Sequence, residues 1–189
     1  MALGTWWNGD PLPDLPTLPS FSACLSTDIQ LITRLTTLSQ QEIEARFQSH
    51  NRVYLAFLDQ TPVAYGWIAN RTGSIDEIHL AFTLPPRNRY LWDFLTLPTW
   101  RGRGIYPHFL QAIIHQEQHD GDRFWIMYVP GNTTAARSIS KAGFLFVGEL
   151  TFTQNYVSGI TLFNTTERAY AGAALLKLPI IMEDKNDAD

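Results

Sequence analysis

Residues 90–107 read YLWDFLTLPTWRGRGIYP, and the other predicted elements are arranged around this stretch. Its first half is apolar and aromatic, as a buried strand requires. Gly102 and Gly104 then allow a sharp turn and let a ligand approach the backbone closely. Beyond Pro107, which a first helical turn tolerates, apolar residues recur at intervals of three and four. The stretch therefore predicts a strand, a glycine turn and an amphipathic helix.

The start of this helix is a candidate anion-binding site. First-turn N–H groups have no acceptor within the helix, and the helix dipole adds partial positive charge, so phosphate binds well there. Arg101 and Arg103 add groups that form charge-assisted hydrogen bonds. Neither Gly-x-x-x-x-Gly-Lys-Ser/Thr nor Gly-x-Gly-x-x-Gly is present, so two common nucleotide-binding motifs are excluded.

A second informative stretch follows at the distance that one helix and one strand would fill. Residues 124–129, FWIMYV, are a short apolar run typical of a strand. Asn132 suits the N-cap of a following helix, and Gly143 suits its end. The two stretches together cover residues 90–150.

Both stretches resemble motifs of the GNAT superfamily of acyl-CoA-dependent N-acetyltransferases. The run from Arg101 to Tyr106 is similar to the signature Arg/Gln-x-x-Gly-x-Gly/Ala, with Tyr106 in place of the last small residue. The run from Asn132 to Phe144 is similar to Asn-x-x-Ala followed by Lys-x-Gly-Phe. The resemblance implies an α/β, GNAT-like acyl-CoA N-acyltransferase fold, with a mixed central sheet and helices on both faces.

The resemblance also implies acetyl-CoA as a co-substrate. The diphosphate would bind the glycine turn, while backbone N–H groups of the preceding strand would bind the acyl group and the pantetheine arm. Asn132 would contact the cofactor near its thiol, or it would only cap its helix. The implied cofactor-binding residues are Phe94, Leu95, Thr96, Arg101, Gly102, Arg103, Gly104, Ile105, Tyr106, Pro107 and Asn132.

The residues that would carry the chemistry follow from the demands of thioester aminolysis. The amine must be delivered neutral, the carbonyl oxygen must be stabilised, and a thiolate must leave. Asp93 should share one side of the pleat with Leu91 and Leu95. It is a candidate base or amine-binding carboxylate, or else a structural partner, for example of an arginine. Glu77, which should share a strand face with His79, is the second candidate.

The proton donor to the thiolate is a departure from the family pattern. Many relatives carry a tyrosine seven residues after the motif asparagine, and Ile139 stands at that position here. Tyr106, Tyr156 and water are the remaining candidates, or no donor is used. A CoA thiol has a pKa near that of cysteine, about 8.5, so its protonation is a modest task.

No metal is predicted. His115 and His119 lie one helical turn apart, but the residues between them do not make His-Glu-x-x-His, and no third ligand is apparent. A solvated helix end is the better interpretation of this pair.

Composition limits the partners and the compartment. With 45% hydrophobic residues, 17% charged residues and a net charge of −4, the chain has no basic block for nucleic acid or an anionic membrane. Cys24 stands alone and no secretory leader precedes it, so a cytoplasmic location is expected. The apolar run 171–182 is interrupted by Lys177 and Pro179 and is too short to span a bilayer.

Three regions are predicted along the 189 residues. Residues 1–22 should form an extended Pro/Trp-rich arm that cannot be a regular helix or a central strand. Its tryptophans would pack onto the domain or a second subunit, which leaves a homodimer open, or would form a lid over a ligand. Residues 23–182 should be a single GNAT-like domain, and 183–189 a disordered acidic tail.

The remaining pattern predicts a mixed order of strands and helices. Loose alternation over 29–35 predicts a first strand. A capping box from Ser39 to Glu42 starts a helix that reaches about Ser49. Other predicted elements are a hairpin of 53–58 and 63–69, strands at 77–83, 145–153 and 159–163, and a helix at 167–176.

These observations lead to one principal hypothesis and two alternatives. The principal hypothesis is an N-acetyltransferase that transfers acetyl from acetyl-CoA directly to a primary amine, in a ternary complex. The acceptor is left open between an amino sugar, a small metabolite amine and a peptide N-terminus. The alternatives are a non-catalytic acyl-CoA-binding or scaffold protein of the same fold, suggested by Ile139, and a nucleotide-binding protein, which ATP or NAD would protect better than CoA.

Overall fold

The computed structural model describes residues 1–182, so the tail predicted at 183–189 lies outside the described residues. The helices are α1 (Ile29–Leu35), α2 (Gln40–Gln48), α3 (Ile105–Glu117), α4 (Thr133–Lys141) and α5 (Glu167–Leu176). The strands are β1 (Ala2–Trp7), β2 (Phe21–Ser26), β3 (Arg52–Leu58), β4 (Thr61–Ala69), β5 (Thr72–Ile75), β6 (Leu80–Thr83), β7 (Asn88–Thr96), β8 (Arg123–Tyr128), β9 (Leu145–Thr153), β10 (Tyr156–Leu162) and β11 (Ile180–Ile181).

Nine of these strands form one mixed sheet in the order β11-β10-β9-β1-β8-β7-β4-β3-β2. Strands β7 and β8 are parallel, as are β10 and β11, and the other neighbours are antiparallel. Strands β5 and β6 form a separate hairpin. The predicted mixed α/β architecture is confirmed.

Helices cover both faces of the sheet, because successive strand residues point to opposite sides. In β8, Ile126 packs in the core beneath α3 and α4, whereas its neighbour Trp125 packs beneath α5 and the β5–β6 hairpin. Trp67 of β4 packs beneath α1 and α2. In residues 1–182, no helix is long and apolar enough to cross a membrane.

The N-terminal segment differs most from the prediction. Strand β1 pairs with β8 on one side and β9 on the other, so it is central, whereas an arm excluded from the sheet centre was predicted. The prolines explain the error, since all of them follow residue 10 and leave 2–7 free to donate to both neighbours. Residues 1–22 thus supply a central strand and the start of edge strand β2.

Residues 8–20 form a proline-rich strap that crosses α3 on its way to β2. Gln111 of α3 donates a 2.8 Å hydrogen bond to the carbonyl oxygen of Pro13. The ring of His108 lies between two carbonyl oxygens, with Nδ1 2.8 Å from Gly104 and Nε2 2.9 Å from Pro16. The strap is therefore attached directly to the first turns of α3.

The two tryptophans of β1 are covered by the chain itself. Trp6 is 2% exposed and packs edge-on against Phe124. The ring of Trp7 contacts the guanidinium groups of Arg123 and Arg168, at 3.8 and 4.8 Å. Both tryptophans therefore pack onto their own domain, and they provide no argument for a second subunit.

Two further strand predictions were wrong. Residues 29–35 form α1, because Asp28 accepts a hydrogen bond from the Leu31 amide and Ile32 becomes a buried helical position. Residues 76–78 form a 3₁₀ turn, and His79 has a left-handed φ of 51°, so only β6 remains of the strand at 77–83. The capping box before α2, the β3–β4 hairpin and helix α5 are confirmed.

A bulge interrupts the pairing of β4 with β7. Tyr65 faces Leu95 and Trp67 faces Trp92, so two residues of β7 lie opposite Gly66 alone. A Cβ atom on Gly66 would lie 2.2 Å from the ring of Phe94, which only glycine avoids. The bulge therefore depends on a glycine in one strand and an aromatic ring in the other.

The first prediction concerns Asp10, which ties the end of β1 to α5. Its carboxylate accepts hydrogen bonds from both Nη groups of Arg168 and from the Trp7 amide. Burial opposes ionisation, but these hydrogen bonds outweigh it and hold the pKa of Asp10 below its usual value. Asp10→Asn should lower the free energy of unfolding by about 1–3 kcal/mol near neutral pH.

The pH dependence of this effect follows from the lowered pKa. The stabilisation by Asp10 is present above the unfolded-state pKa, about 3.9, and is lost as the pH falls through the folded-state value. Urea unfolding of both proteins from about pH 7 down to about pH 3 should show the difference shrinking on the acid side. A difference independent of pH would contradict this account.

The second prediction tests the bulge. Gly66→Ala should destabilise the protein by about 1–3 kcal/mol, because Phe94 packs against Tyr106 and Phe109 and cannot move aside freely. Phe94→Leu should relieve part of the clash, so the double variant should be more stable than the sum of the single effects predicts. Urea unfolding measures all four proteins, and strictly additive effects would exclude the Gly66–Phe94 contact as the cause.

Candidate active site

The glycine turn presents a group of unpaired backbone donors. Gly104 is the N-cap of α3 with φ 75°, and Gly102 has φ 77°, a region that favours glycine strongly. Within residues 1–182, the amides of Gly102, Arg103 and Gly104 donate to no protein acceptor. The first-turn amides of α3 point to the same end of the helix. The turn thus has the donors that an anion requires.

Both arginines of the turn are held in place. Arg101 donates through Nε to the carbonyl oxygen of Thr96, at 3.1 Å, which connects the turn to the end of β7. The guanidinium of Arg103 stacks on Trp100, 4.7 Å from the ring centre. Both positive charges therefore stay beside the unpaired amides.

Strands β7 and β8 are paired only over their first four residues and then separate. Their pairing runs from Asn88 with Arg123 to Leu91 with Ile126 and ends there. Strand β7 continues to Thr96 against β4 alone, and β8 continues to Tyr128 against β1 alone. The opening lies at the carboxyl ends of two parallel strands, which is also the end that leads into the glycine turn. The opening runs along β7, the strand to which the family resemblance assigned the acyl group and the pantetheine arm.

The face of the opening that lies towards α3 is aromatic. The ring of Phe94 is 5.8 Å from that of Tyr106, and Tyr128 packs against Phe146 at 4.9 Å. Burial raises the pKa of the Tyr106 phenol well above its usual value, which keeps it protonated. Ile139 is fully buried in the core beneath α3 and α4 and supplies no hydroxyl.

The opposite face carries Asp93, and here the predicted side of the pleat was partly wrong. Asp93 has a left-handed φ of 50° at the bulge, so it points away from the face of Leu91. Its carboxylate pairs with Arg46 of α2, with Oδ2 2.5 Å from Nη1. Leu95 packs on this second face, as expected. The arginine partner is one of the two roles that the sequence left open for Asp93.

Three aromatic side chains complete this group. The Arg46 guanidinium carbon lies 4.8 Å from the ring centre of Trp67 and 4.5 Å from that of Trp92. Burial raises the pKa of the Tyr65 phenol, and the charge of Asp93 adds to the effect while Arg46 opposes it. We call these five residues, Arg46, Tyr65, Trp67, Trp92 and Asp93, the arginine cluster.

Sequence reasoning missed Arg46 and Tyr65. The only signal for Arg46 was its position on α2, beside the apolar Ile43 and Phe47, and its partner is 47 residues away along the chain. Nothing in the sequence of β4 marks Tyr65 as a neighbour of a charged pair.

The other predicted catalytic residues lie apart from the arginine cluster. Glu77 is exposed on the 3₁₀ turn before β6, and its charge adds to burial in raising the pKa of Tyr90. Tyr156 is 76% exposed at the start of β10, which is four strands from β7 in the sheet. Asn132 caps α4 by accepting from the Ala135 amide at 3.0 Å.

The predicted solvated histidine pair is compatible with the structure. His119 is exposed and lies 3.3 Å from a carboxylate oxygen of Asp120. Over the described part of the chain, no group of three or more His, Cys, Asp or Glu side chains could hold a metal ion.

A buried charge cluster holds the far end of α3 against the sheet. Glu117 is 2% exposed and accepts hydrogen bonds from Arg52 at 2.6 Å, Tyr54 at 2.8 Å and Arg89 at 3.0 Å. Burial and the neighbouring Glu117 charge raise the pKa of Tyr54, so the phenol remains a donor. Since these partners lie on β3 and β7, α3 has one position on the sheet, and the glycine turn at its other end is fixed with it.

Comparison with known proteins agrees with this geometry. A family model described as acetyltransferase (GNAT) family matches residues 22–144, about two thirds of the chain. The chain belongs to this family. The match to the GNAT model runs from β2 to Phe144, three residues after the end of α4, and it therefore includes the glycine turn, the parted strands and Asn132.

Solved GNAT structures share the fold. A putative GNAT acetyltransferase from Novosphingobium aromaticivorans has 17% identity, covers 77% of this chain and 59% of its own, and gives a TM-score of 0.51. The aminoglycoside N-acetyltransferase AAC(6')-Iy in complex with CoA has 18% identity, covers 70% and 98%, and gives 0.53. AAC(6')-Ih from Acinetobacter baumannii has 16% identity, covers 71% and 97%, and gives 0.50.

The extent of these matches is limited. The chain spans 59%, 53% and 52% of the length of three of the GNAT structures that it resembles. No match to the sequence was found among curated proteins. At these identities the structural likeness establishes the fold.

Proposed function

We propose that this GNAT protein is an N-acetyltransferase that transfers an acetyl group from acetyl-CoA to a primary amine, by direct transfer in a ternary complex. The observation that carries the proposal is the parting of β7 and β8 beside a turn with unpaired amides. The opening between β7 and β8 suits an acyl group and its pantetheine arm, and the unpaired amides of the turn suit a diphosphate.

Acetyl-CoA would supply the activated acyl group, and the residues of the glycine turn would hold it. The amides of Gly102, Arg103 and Gly104 have no protein acceptor among residues 1–182, so a diphosphate would satisfy donors that otherwise face water. Arg101 and Arg103 add positive charge. Phe94, Leu95 and Thr96 would offer backbone groups along the opening.

In the reaction, the amine nitrogen forms a bond to the carbonyl carbon and the carbon–sulfur bond breaks. Backbone N–H groups of β7 would stabilise the oxygen as it gains charge. The amine loses one proton and the thiolate gains one, so no further reactant is needed. Asp93 is the best-placed carboxylate for the amine because it lies in the bulge at the opening, and Glu77 is the second candidate.

The candidate proton donors to the leaving thiolate are hydroxyl groups and water. Tyr106 adjoins Phe94 at the opening, whereas Tyr156 lies at the tip of the β9–β10 hairpin. We place Tyr106 ahead of Tyr156 for this reason. The exposed free thiol of Cys24 supports a reducing, cytoplasmic location for the enzyme.

The alternative is a non-catalytic acyl-CoA-binding protein of the same fold. The buried Ile139 at the usual tyrosine position favours it, as does the pairing of Asp93 with Arg46. A base that is already paired with a guanidinium is less available to accept a proton.

The third prediction separates these two functions. Purified protein is mixed with acetyl-CoA and a panel of primary amines that includes amino sugars, amino acids and peptides, and free thiol is measured over time. Amine-dependent thiol release above the uncatalysed rate is expected. Saturable CoA binding without such release from any amine would favour the non-catalytic alternative.

The fourth prediction tests the position of the cofactor. Gly104→Asp should weaken CoA binding at least about tenfold, because a carboxylate would face the diphosphate and about 1.4 kcal/mol corresponds to that factor. Gly104→Asn is the matched control, since asparagine has the same shape, tolerates a left-handed φ and carries no charge. Calorimetric titration with CoA and thermal melting measure the two variants. Equal affinities for CoA in both variants would exclude a diphosphate at this turn.

A further inference from the structure

The arginine cluster contains more hydrogen-bond donors than acceptors. Arg46 uses Nη1 for Asp93, and no other acceptor for its guanidinium occurs within residues 1–182. The buried side-chain atoms that lack a hydrogen-bond partner include Arg52 Nε, but they include neither Nε nor Nη2 of Arg46. The unused donors of Arg46 therefore face solvent at the surface of the cluster.

Two indole groups add to this excess of donors. The Nε1 atoms of Trp67 and Trp92 are both buried, and neither has an acceptor in the described chain. Buried polar groups are paired in most proteins, so two unpaired donors beside an incompletely paired arginine require an explanation. An anionic oxygen ligand is the partner that the solvent-facing donors of Arg46 favour.

The guanidinium is held in one orientation. It contacts the rings of Trp67 and Trp92, and Asp93 fixes one of its edges. Its side chain is 21% exposed, so little of it moves freely in water. A guanidinium that is already immobilised loses less entropy when it binds a carboxylate.

The location of the cluster assigns it to the acceptor. Trp92 and Asp93 belong to β7 at the point where this strand leaves β8. Arg46 approaches from α2, on the face of the sheet opposite to α3. The glycine turn and the proposed cofactor belong to the α3 side. The amine would therefore reach the thioester from the side of the cluster.

We propose that the acceptor is an α-amino acid, whose carboxylate binds Arg46 and whose amine lies at Asp93. The proposal deepens the N-acetyltransferase function and rests on it. Arg46 and Asp93 are in direct contact, and the two charged groups of an α-amino acid are likewise separated by a single carbon. An amino sugar with several cationic groups and no carboxylate would instead face the positive charge of Arg46.

The fifth prediction compares matched acceptors. Each of a set of α-amino acids is paired with its α-carboxamide, which has the same side chain but no negative charge, and kcat/KM is measured by thiol release. The wild-type protein should prefer the acids by at least about tenfold, a difference of about 1.4 kcal/mol. The difference in amine pKa works against this expected preference, because an amine beside an amide has a lower pKa, about 7.7–8.0, and is more often in the reactive neutral form.

Substitution of Arg46 connects this preference to the cluster. Arg46→Gln should reduce the acid-to-amide ratio to about one, and Arg46→Lys should retain part of it, because lysine keeps the charge without the planar fork. The ratio is measured within one protein sample, so a partly unfolded variant still gives a valid value. Arg34→Gln, which removes an exposed arginine of α1, is the control and should leave the ratio unchanged.

The outcomes distinguish this inference from the proposed function. If wild type acetylates acids and amides equally well, the amino-acid proposal is overturned while the N-acetyltransferase activity stands. If the preference exists but survives Arg46→Gln, the assignment to Arg46 is overturned. If CoA binds and no amine releases thiol, the proposed function fails and the acceptor proposal fails with it.

Discussion

One extra residue in β7 is the constraint on which the site depends. Opposite Gly66 the strand contains two residues, and the left-handed backbone at Asp93 reverses the alternation of side chains from there onward. Phe94 consequently packs beneath α3, and Asp93 points to α2. The pairing of β7 with β8 ends just before this point. One local irregularity thus separates a cofactor side from an acceptor side.

The surrounding fold keeps this irregularity in place. Strand β1 pairs with both β8 and β9, and it thereby connects β9, β10 and β11 to the rest of the sheet. The sheet is therefore continuous on the side of β8 that faces away from the opening. The buried Glu117 cluster attaches the far end of α3 to β3 and β7. The strap adds contacts to the first turns of α3 through His108 and Gln111. These supports hold the glycine turn at the carboxyl end of β7.

Local chemistry made part of the structure predictable. The glycine turn, the Asn132 cap and the Ser39 capping box depend on residues within a few positions of each other, and all three occur as predicted. The errors have a different origin. Residues 29–35 combine strand-like alternation with a good helix cap at Asp28, and burial of Ile32 decided for the helix. In residues 1–22, the prolines all lie in the strap, so they indicated its irregular backbone but gave no information about strand β1 before it.

The sequence by itself determined the family, the turn that would bind the diphosphate and the helices that flank it, because short-range hydrogen bonding and periodicity encode them. Only the tertiary structure decided the central place of β1, the side of the sheet on which Asp93 lies, and its pairing with Arg46. Strand order, bulge position and an ion pair across 47 residues depend on which distant segments pack together. No local pattern carries that information, since each partner segment is compatible with several arrangements until the core closes around one of them.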